Sequence, residues 1–120
     1  MYNHLKTNNK KTGREGEDLA LEYLRTQGLN LVERNYLIWG GELDLIMRDG
    51  EEYVFVEVKT RFDKEIPFEE LISAKKLRTI EKTSELWLRK NKFDDVNWRI
   101  DFVGVDLTSG DVEWIPDCTC

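Results

Sequence analysis

The feature that most constrains the fold of this 120-residue chain is a pair of strand-like segments separated by a short polar turn. The segments span residues 42–47 and 53–60, and an Asp-Gly pair lies between them. Because Asp-Gly between apolar runs is a strong hairpin signal, the pattern predicts an antiparallel β-hairpin. The second segment alternates valines with aromatic residues and is apolar on both faces, which predicts a central strand covered on both sides.

The remaining sequence predicts an α/β fold around this hairpin. Thr12 and Glu15 fit a capping box, so a first helix is expected from there to Gln27. An extended segment over 29–36 follows, and Ser73 is expected to cap a second helix that ends near residue 90. A strand over 98–107, in which Asp101 makes a polar contact, and a short edge strand over 112–115 complete the order α-β-β-β-α-β(-β). A long helical connection permits parallel pairing, so we expect a mixed central sheet flanked by helices.

The domain prediction is a flexible basic N-terminal arm over residues 1–11, a single domain over 12–116 and a C-terminal tail over 117–120. Cys118 and Cys120 are one residue apart at the end of the chain, where a disulfide would close almost no loop. We interpret them as part of a solvated tail, with metal capture as the minor alternative. No apolar run approaches the roughly 20 residues of a membrane span, and no signal peptide is evident, so a cytoplasmic location without a membrane partner is expected.

The charge of the chain is an argument against a nucleic-acid partner. The formal net charge is −6, whereas phosphate binding usually requires a basic surface. The distribution of the charges weakens this objection, because several acids fall in one short stretch and Lys6, Lys10, Lys11 and Arg14 form a basic arm. The total charge therefore does not exclude nucleic acid.

The hairpin predicts which acidic side chains share a face. If Asp49 and Gly50 form the loop, Glu42 lies opposite Glu57 and Asp44 is its diagonal neighbour. Because side chains alternate along a strand, Glu42, Asp44, Glu57 and Lys59 all project to one side of the sheet. The role of Glu42 stays unassigned.

These residues suit phosphodiester hydrolysis. Two carboxylates can bind Mg²⁺ or Mn²⁺, a bound cation lowers the pKa of water and neutralises phosphate charge, and Lys59 can stabilise the developing negative charge. The alternative is structural, because Asp44, Glu57 and Lys59 could simply form an ion-pair ladder on adjacent strands.

Other polar and aromatic residues are candidates with equally plain structural alternatives. Glu17 could act as a further metal ligand, but it also suits the solvated first turn of a helix. Lys75 and Lys76 could hold a phosphate at the start of the second helix or form its exposed face. Trp39 could stack on a nucleobase or pack at the rim of the core.

Several of these residues lie within motifs that resemble the bacterial YraN family, also called UPF0102. The motifs are GREGE at 13–17, RNY at 34–36, GELDLI at 41–46, FVEVKTR at 55–61, Lys75 and RIDF at 99–102. That family is similar to archaeal Holliday-junction resolvases and to the restriction-endonuclease-like, PD-(D/E)xK nuclease superfamily. The resemblance implies a core sheet flanked by helices, Asp44 and Glu57 as metal ligands, Lys59 as the catalytic lysine and Glu17 as the acid that completes the site.

The expected function is therefore a Mg²⁺- or Mn²⁺-dependent DNA endonuclease, with branched DNA as a candidate substrate. Arg14, Arg61, Lys75 and Lys76 are the candidate DNA-binding residues, and similarity to resolvases implies a homodimer. The main alternative is a catalytically silent module with a nuclease-like fold that binds nucleic acid or protein. A third possibility is a nuclease that acts on RNA, because nothing in the sequence reports a contact with a 2′-hydroxyl group.

Overall fold

The predicted order of helices and strands is confirmed. The computed structural model describes residues 2–62 and 67–118, with side chains described for residues 13–62, 67, 68 and 70–118. Its elements are α1 (Tyr2–Thr26), β1 (Asn30–Ile38), β2 (Gly41–Asp49), β3 (Glu52–Arg61), a 3-10 turn (Phe68–Leu71), α2 (Ala74–Lys90), β4 (Trp98–Asp106) and β5 (Val112–Ile115). Among the helices described, none has the length and hydropathy to cross a membrane.

The five strands form one mixed sheet in the order β1-β2-β3-β4-β5. Neighbouring strands pair antiparallel except β3 and β4, which are parallel. Parallel neighbours need a long crossover, and α2 provides it. The predicted parallel pairing of the strand that follows the second helix is thus confirmed.

A helix covers each face of the sheet, and the alternation along β3 explains why. Val54 and Val56 belong to a core that includes Leu24 of α1, whereas Phe55 belongs to a second core that includes Trp87 of α2. Successive side chains of a strand point to opposite faces, so β3 contributes to both cores. This strand is the buried centre of the molecule, as its sequence predicted.

The start of α2 follows the predicted capping pattern. The side chain of Ser73 accepts a hydrogen bond from the amide of Lys76 at 3.0 Å, which satisfies one of the free amides of the first turn. The helix ends at Lys90. The cap places Lys76 in the first turn, next to the end of the sheet where the acidic residues lie.

The first helix begins earlier than predicted. It extends back to Tyr2, so Thr12 lies within the helix and does not cap it. Residues 2–12 contain neither glycine nor proline, and extending a helix that already exists costs far less than starting one. The side chains of residues 1–12 lie outside those described, and the flexibility of the arm stays a prediction.

The hairpin register differs from the prediction by two residues. Asp49 pairs with Glu52, which leaves Gly50 and Glu51 as the loop. Gly50 takes a positive φ of 64°, as the first loop residue of a type II′ turn requires, and the prediction had placed this glycine second. A shift of two residues preserves the facing of the β3 side chains, so Glu57 and Lys59 still share a face. The predicted placement of Glu42 opposite Glu57 is wrong in this register. In β2 the alternation breaks at Asp44, because Leu43 belongs to the core with α2 and Leu45 to the core with α1.

Two polar residues near the end of the chain are held by the sheet. Asp101 is fully buried and accepts hydrogen bonds from Arg99, Trp114 and the Asp117 amide, as its predicted polar contact required. The amide of Cys118 donates to the Ile100 carbonyl and its side chain packs against the α2 core. The interpretation of Cys118 as solvated is therefore wrong, because the chain after β5 folds back onto β4. Cys120 lies outside the described residues.

Candidate acidic site at the end of β2 and β3

Asp44 lies where the pairing of β2 with β3 ends. The backbone ladder stops at Leu45 and Val56. Beyond this pair the Asp44 side chain replaces a backbone acceptor, because its Oδ2 accepts a hydrogen bond from the Val58 amide at 2.8 Å. The same carboxyl group lies close enough to the side chain of Glu57 to raise the pKa of that residue through its charge and through a hydrogen bond. One aspartate thus joins the two strands and brings two acids close together.

Glu57 is a buried acid, with only 8% of its surface exposed. Burial is the largest reason that the pKa of Glu57 rises from its ordinary value of 4.5 to about 8, followed by the negative charge of Asp44 and the hydrogen bond with that residue. Lys76 and Lys59 act in the opposite direction. An additional positive charge beside this carboxyl group would therefore stabilise its ionised form and lower its pKa.

Two lysines face Glu57 from different elements. The Nζ atom of Lys59, two residues along β3, lies 4.0 Å from Oε1, and the Nζ atom of Lys76 lies 3.9 Å from Oε2. Lys76 also lies 3.8 Å from Oε1 of Glu42. Glu42, whose role the sequence left open, therefore shares the ammonium group of Lys76 with Glu57. Sequence reasoning had grouped Lys76 with residues for phosphate binding and had not linked it to the acids.

Glu17 approaches the acids from α1. The preceding residue, Gly16, packs so closely on the Thr60 side chain that a Cβ atom would collide with it, so the helix lies directly against β3. Burial raises the pKa of Glu17, and the charge of Asp44 raises it further. The helix thus contributes a third acid, on which the charge of Asp44 acts.

Arg34 of β1 is a neighbour of Glu17 that sequence reasoning missed as a site residue. Its Nη2 atom lies 3.7 Å from Oε1 of Glu17 and 2.8 Å from Oδ1 of Asp18. This arginine lowers the pKa of Glu17 and opposes the effects of burial and Asp44. The only signal for it in the sequence was the RNY motif at 34–36, which says nothing about contact with the helix.

The donor atoms of this site are the hard oxygen ligands that Mg²⁺ and Mn²⁺ prefer. Among the side chains that the structure describes, no group of three His, Cys, Asp or Glu residues is arranged to hold a metal ion. Mg²⁺ commonly binds through one or two carboxylates while water and phosphate supply its other ligands. The pair of Asp44 and Glu57, in which the charge of Asp44 helps to raise the pKa of Glu57, fits such a cation.

The other candidate DNA-binding residues are not all at the site. Arg14 and Lys75 are exposed on α1 and α2. Arg61 instead turns inward: its Nε lies 3.4 Å from the buried Asp106 carboxylate, and its guanidinium lies 3.8 Å from the centre of the Phe68 ring. These contacts give Arg61 a structural role beneath the 3-10 turn.

Comparisons with known proteins identify many relatives of this chain. A family profile described as Uncharacterised protein family UPF0102 matches residues 16–105. The UPF0102 protein of Vibrio campbellii is 35% identical over 111 residues, which cover 90% of this chain and 91% of the relative. The UPF0102 protein of Carboxydothermus hydrogenoformans is 36% identical over 82% of this chain and 85% of its own length. The Thermotoga petrophila UPF0102 protein is 42% identical over 77% and 83%, respectively.

Proposed function

The chain belongs to the UPF0102 family, and from this premise and the acidic site we propose that it is a divalent-metal-dependent DNA endonuclease. The observation that carries the proposal is the buried Glu57 carboxyl group, which lies near Asp44 and is faced by two lysines. Isolated buried acids are costly, and perturbed carboxyl groups cluster at functional sites. The resemblance to resolvases and to the PD-(D/E)xK superfamily agrees with the proposal.

Each residue of the site has a distinct task in this proposal. Asp44 and Glu57 hold the cation, and Glu17 adds negative charge from α1. A divalent cation bound there supplies positive charge for the phosphate and makes the attacking water more acidic. Lys59 orients that water and stabilises the charge that develops on the phosphate.

Lys76 and Lys75 position the substrate strand. Lys76 is half-buried between Glu42 and Glu57, so its ammonium group can turn from the acids to a phosphate oxygen once a cation neutralises them. Lys75 is exposed one residue earlier on the same helix. Lys75 and Lys76 thus offer phosphate contacts at the start of α2, and Arg14 adds an exposed cation on α1, even though the chain as a whole is acidic.

A catalytically silent module is the second candidate, and the lysine contacts of Glu57 favour it. If Lys59 and Lys76 already neutralise this acid, the cluster could be a structural ion-pair network. The two candidates differ in metal binding. The endonuclease binds Mn²⁺ at Asp44 and Glu57, whereas the module gives no heat of Mn²⁺ binding in calorimetry.

The decisive experiment measures cleavage with Mg²⁺ or Mn²⁺ of a duplex, a single strand, a gapped duplex, a four-way junction and a matching RNA. We expect Lys59→Ala and Asp44→Asn to lower the rate at saturating substrate by at least about 100-fold, the range for the loss of one electrostatic group. Asparagine keeps an oxygen for the Val58 amide, so the fold is preserved. Glu22→Gln, an exposed acid on α1, is the control for a change of charge alone.

Several results would overturn the proposal. A Lys59→Ala, Asp44→Asn double variant that cuts at the wild-type rate would exclude this site as the catalytic one. Wild-type protein that neither binds Mn²⁺ nor cuts any substrate would support the silent module. Cleavage of the RNA alone would reassign the substrate from DNA to RNA.

A further inference from the structure

Trp39 is fully exposed, with a relative exposure of 101%. The other three tryptophans are buried or half-buried, at positions 87, 98 and 114. Trp39 lies in the turn between β1 and β2, and Gly40 in that turn takes a positive φ of 85°. Gly41 packs directly on Thr83 of α2, which holds the turn against the helix. The indole ring is therefore presented to solvent by an anchored turn.

A groove of about 210 Å³ lies between this turn and α2. Trp39 and Ile38 form its apolar side, and Leu86 and Lys82 contribute from the helix. Lys82, Arg78 and Lys75 are exposed and follow one another at spacings of three or four residues, so they share a face of α2. An exposed aromatic ring beside a row of cations is the combination that single-stranded nucleic-acid sites use.

The groove lies next to the acidic site on the same helix. Gly41 contacts Thr83, and the next residue, Glu42, pairs with Lys76, which in turn faces Glu57. Thr79 and Lys82, which line the groove, lie three and six residues beyond Lys76 on α2. At a rise of about 1.5 Å per residue these steps are about 4.5 and 9 Å. They correspond to roughly one to three nucleotides of a stacked strand at about 3.4 Å each.

We propose that Trp39 and this groove bind an unpaired nucleobase of the substrate strand. The proposal rests on the endonuclease function and narrows its substrate class to DNA with unpaired nucleotides close to the cleaved bond. A base within an intact duplex is stacked on its neighbours, and freeing it costs a few kcal/mol. Gaps, flaps and branch points present such bases without that cost.

The test uses the full-length protein without metal, so that binding is measured independently of cleavage. Addition of a short oligothymidylate should quench the tryptophan emission and protect it from acrylamide, because Trp39 is the fully exposed indole. The Trp39→Ala variant should bind the labelled oligonucleotide about 5- to 150-fold more weakly by fluorescence anisotropy, the contribution of one stacked base. Trp39→Phe should retain most of the affinity. Val32→Ala, which alters an exposed apolar residue of β1, should bind as the wild type does.

Affinity for a blunt, fully paired duplex should be nearly the same in Trp39→Ala and the wild type. Equal affinity of Trp39→Ala and the wild type for oligothymidylate, or emission that does not change on binding, would overturn the base site. Emission that changes with protein concentration alone would reassign the surface to self-association and would also overturn it. A wild-type protein that cuts none of the substrates would refute the endonuclease, whereas the metal-free titration decides the base site separately.

Discussion

Replacing Glu57 by glutamine should remove a pH dependence of stability from the metal-free protein. The pKa of this carboxyl group rises from 4.5 to about 8 on folding, chiefly because of burial. Below pH 4.5 the group is protonated in both states, and above about 8 it is ionised in both. Between these values the folded protein binds more protons, so the free energy of unfolding falls as pH rises.

The magnitude follows from the two pKa values. The interval from 4.5 to about 8, at about 1.36 kcal/mol per pH unit, corresponds to roughly 5 kcal/mol. Relaxation and entry of water around the carboxylate reduce this value, so we expect about 2–4 kcal/mol to be lost between pH 5 and 8.5. Glu57→Gln resembles the protonated group and should lose much less.

The assay is urea unfolding in EDTA at a series of pH values, with the free energy of unfolding extrapolated to water at each. Glu17, whose pKa burial also raises, contributes in the same direction but is present in both proteins, so the difference in slope isolates Glu57. Glu51→Gln in the exposed hairpin turn is the matched control and should keep the wild-type slope. Equal slopes for wild type and Glu57→Gln would refute the reasoning.

Three further predictions concern the metal, the helix contact and the buried network. Mn²⁺ at about 100 times its Kd should stabilise the protein by about 2.7 kcal/mol in thermal unfolding, and an equal gain in Asp44→Asn would contradict the proposed ligands. Gly16→Ala should cost about 1–3 kcal/mol because its Cβ meets Thr60, whereas Gly13→Ala, with open space around it, should be neutral or stabilising by up to about 1 kcal/mol; equal stabilities would disprove the contact. Asp101→Ala should cost about 2–4 kcal/mol, because it removes the acceptor of the Trp114 indole and of the Asp117 amide and one of the carboxylates that bind Arg99; a loss below about 1 kcal/mol would count against that network.

The fold and the face shared by Glu57 and Lys59 could be predicted because both depend on local periodicity. Alternation along β3 determined which side chains face α1 and which face α2, and it placed Glu57 and Lys59 together. The register of the hairpin could not be predicted with the same security. The register depends on whether Gly50 is the first or the second residue of the loop. A type II′ turn has glycine at the first position, whereas Asp-Gly in a type I′ turn has it at the second.

The long-range contacts of the site could not be predicted from local patterns. Lys76 reaches Glu57, and Arg34 reaches Glu17, only because two helices pack on opposite faces of the sheet at particular depths. Nothing in a local sequence window reports those depths. The DNA-binding role of Arg61 stays a prediction, and its contacts with Asp106 and Phe68 are a further example of partners that a local motif does not report.

The hydrogen bond from the Val58 amide to Asp44 makes that amide a natural reporter of the site. Its proton points at the carboxylate and not at a backbone carbonyl, so its nuclear magnetic resonance should respond directly to any ion that draws electron density from Asp44. The chemical shift of this one amide during a titration with diamagnetic Mg²⁺ would then report the occupancy of the site at Asp44. A single hydrogen bond between a backbone amide of one strand and a side chain of the next thus allows metal binding at the acidic site to be followed by nuclear magnetic resonance.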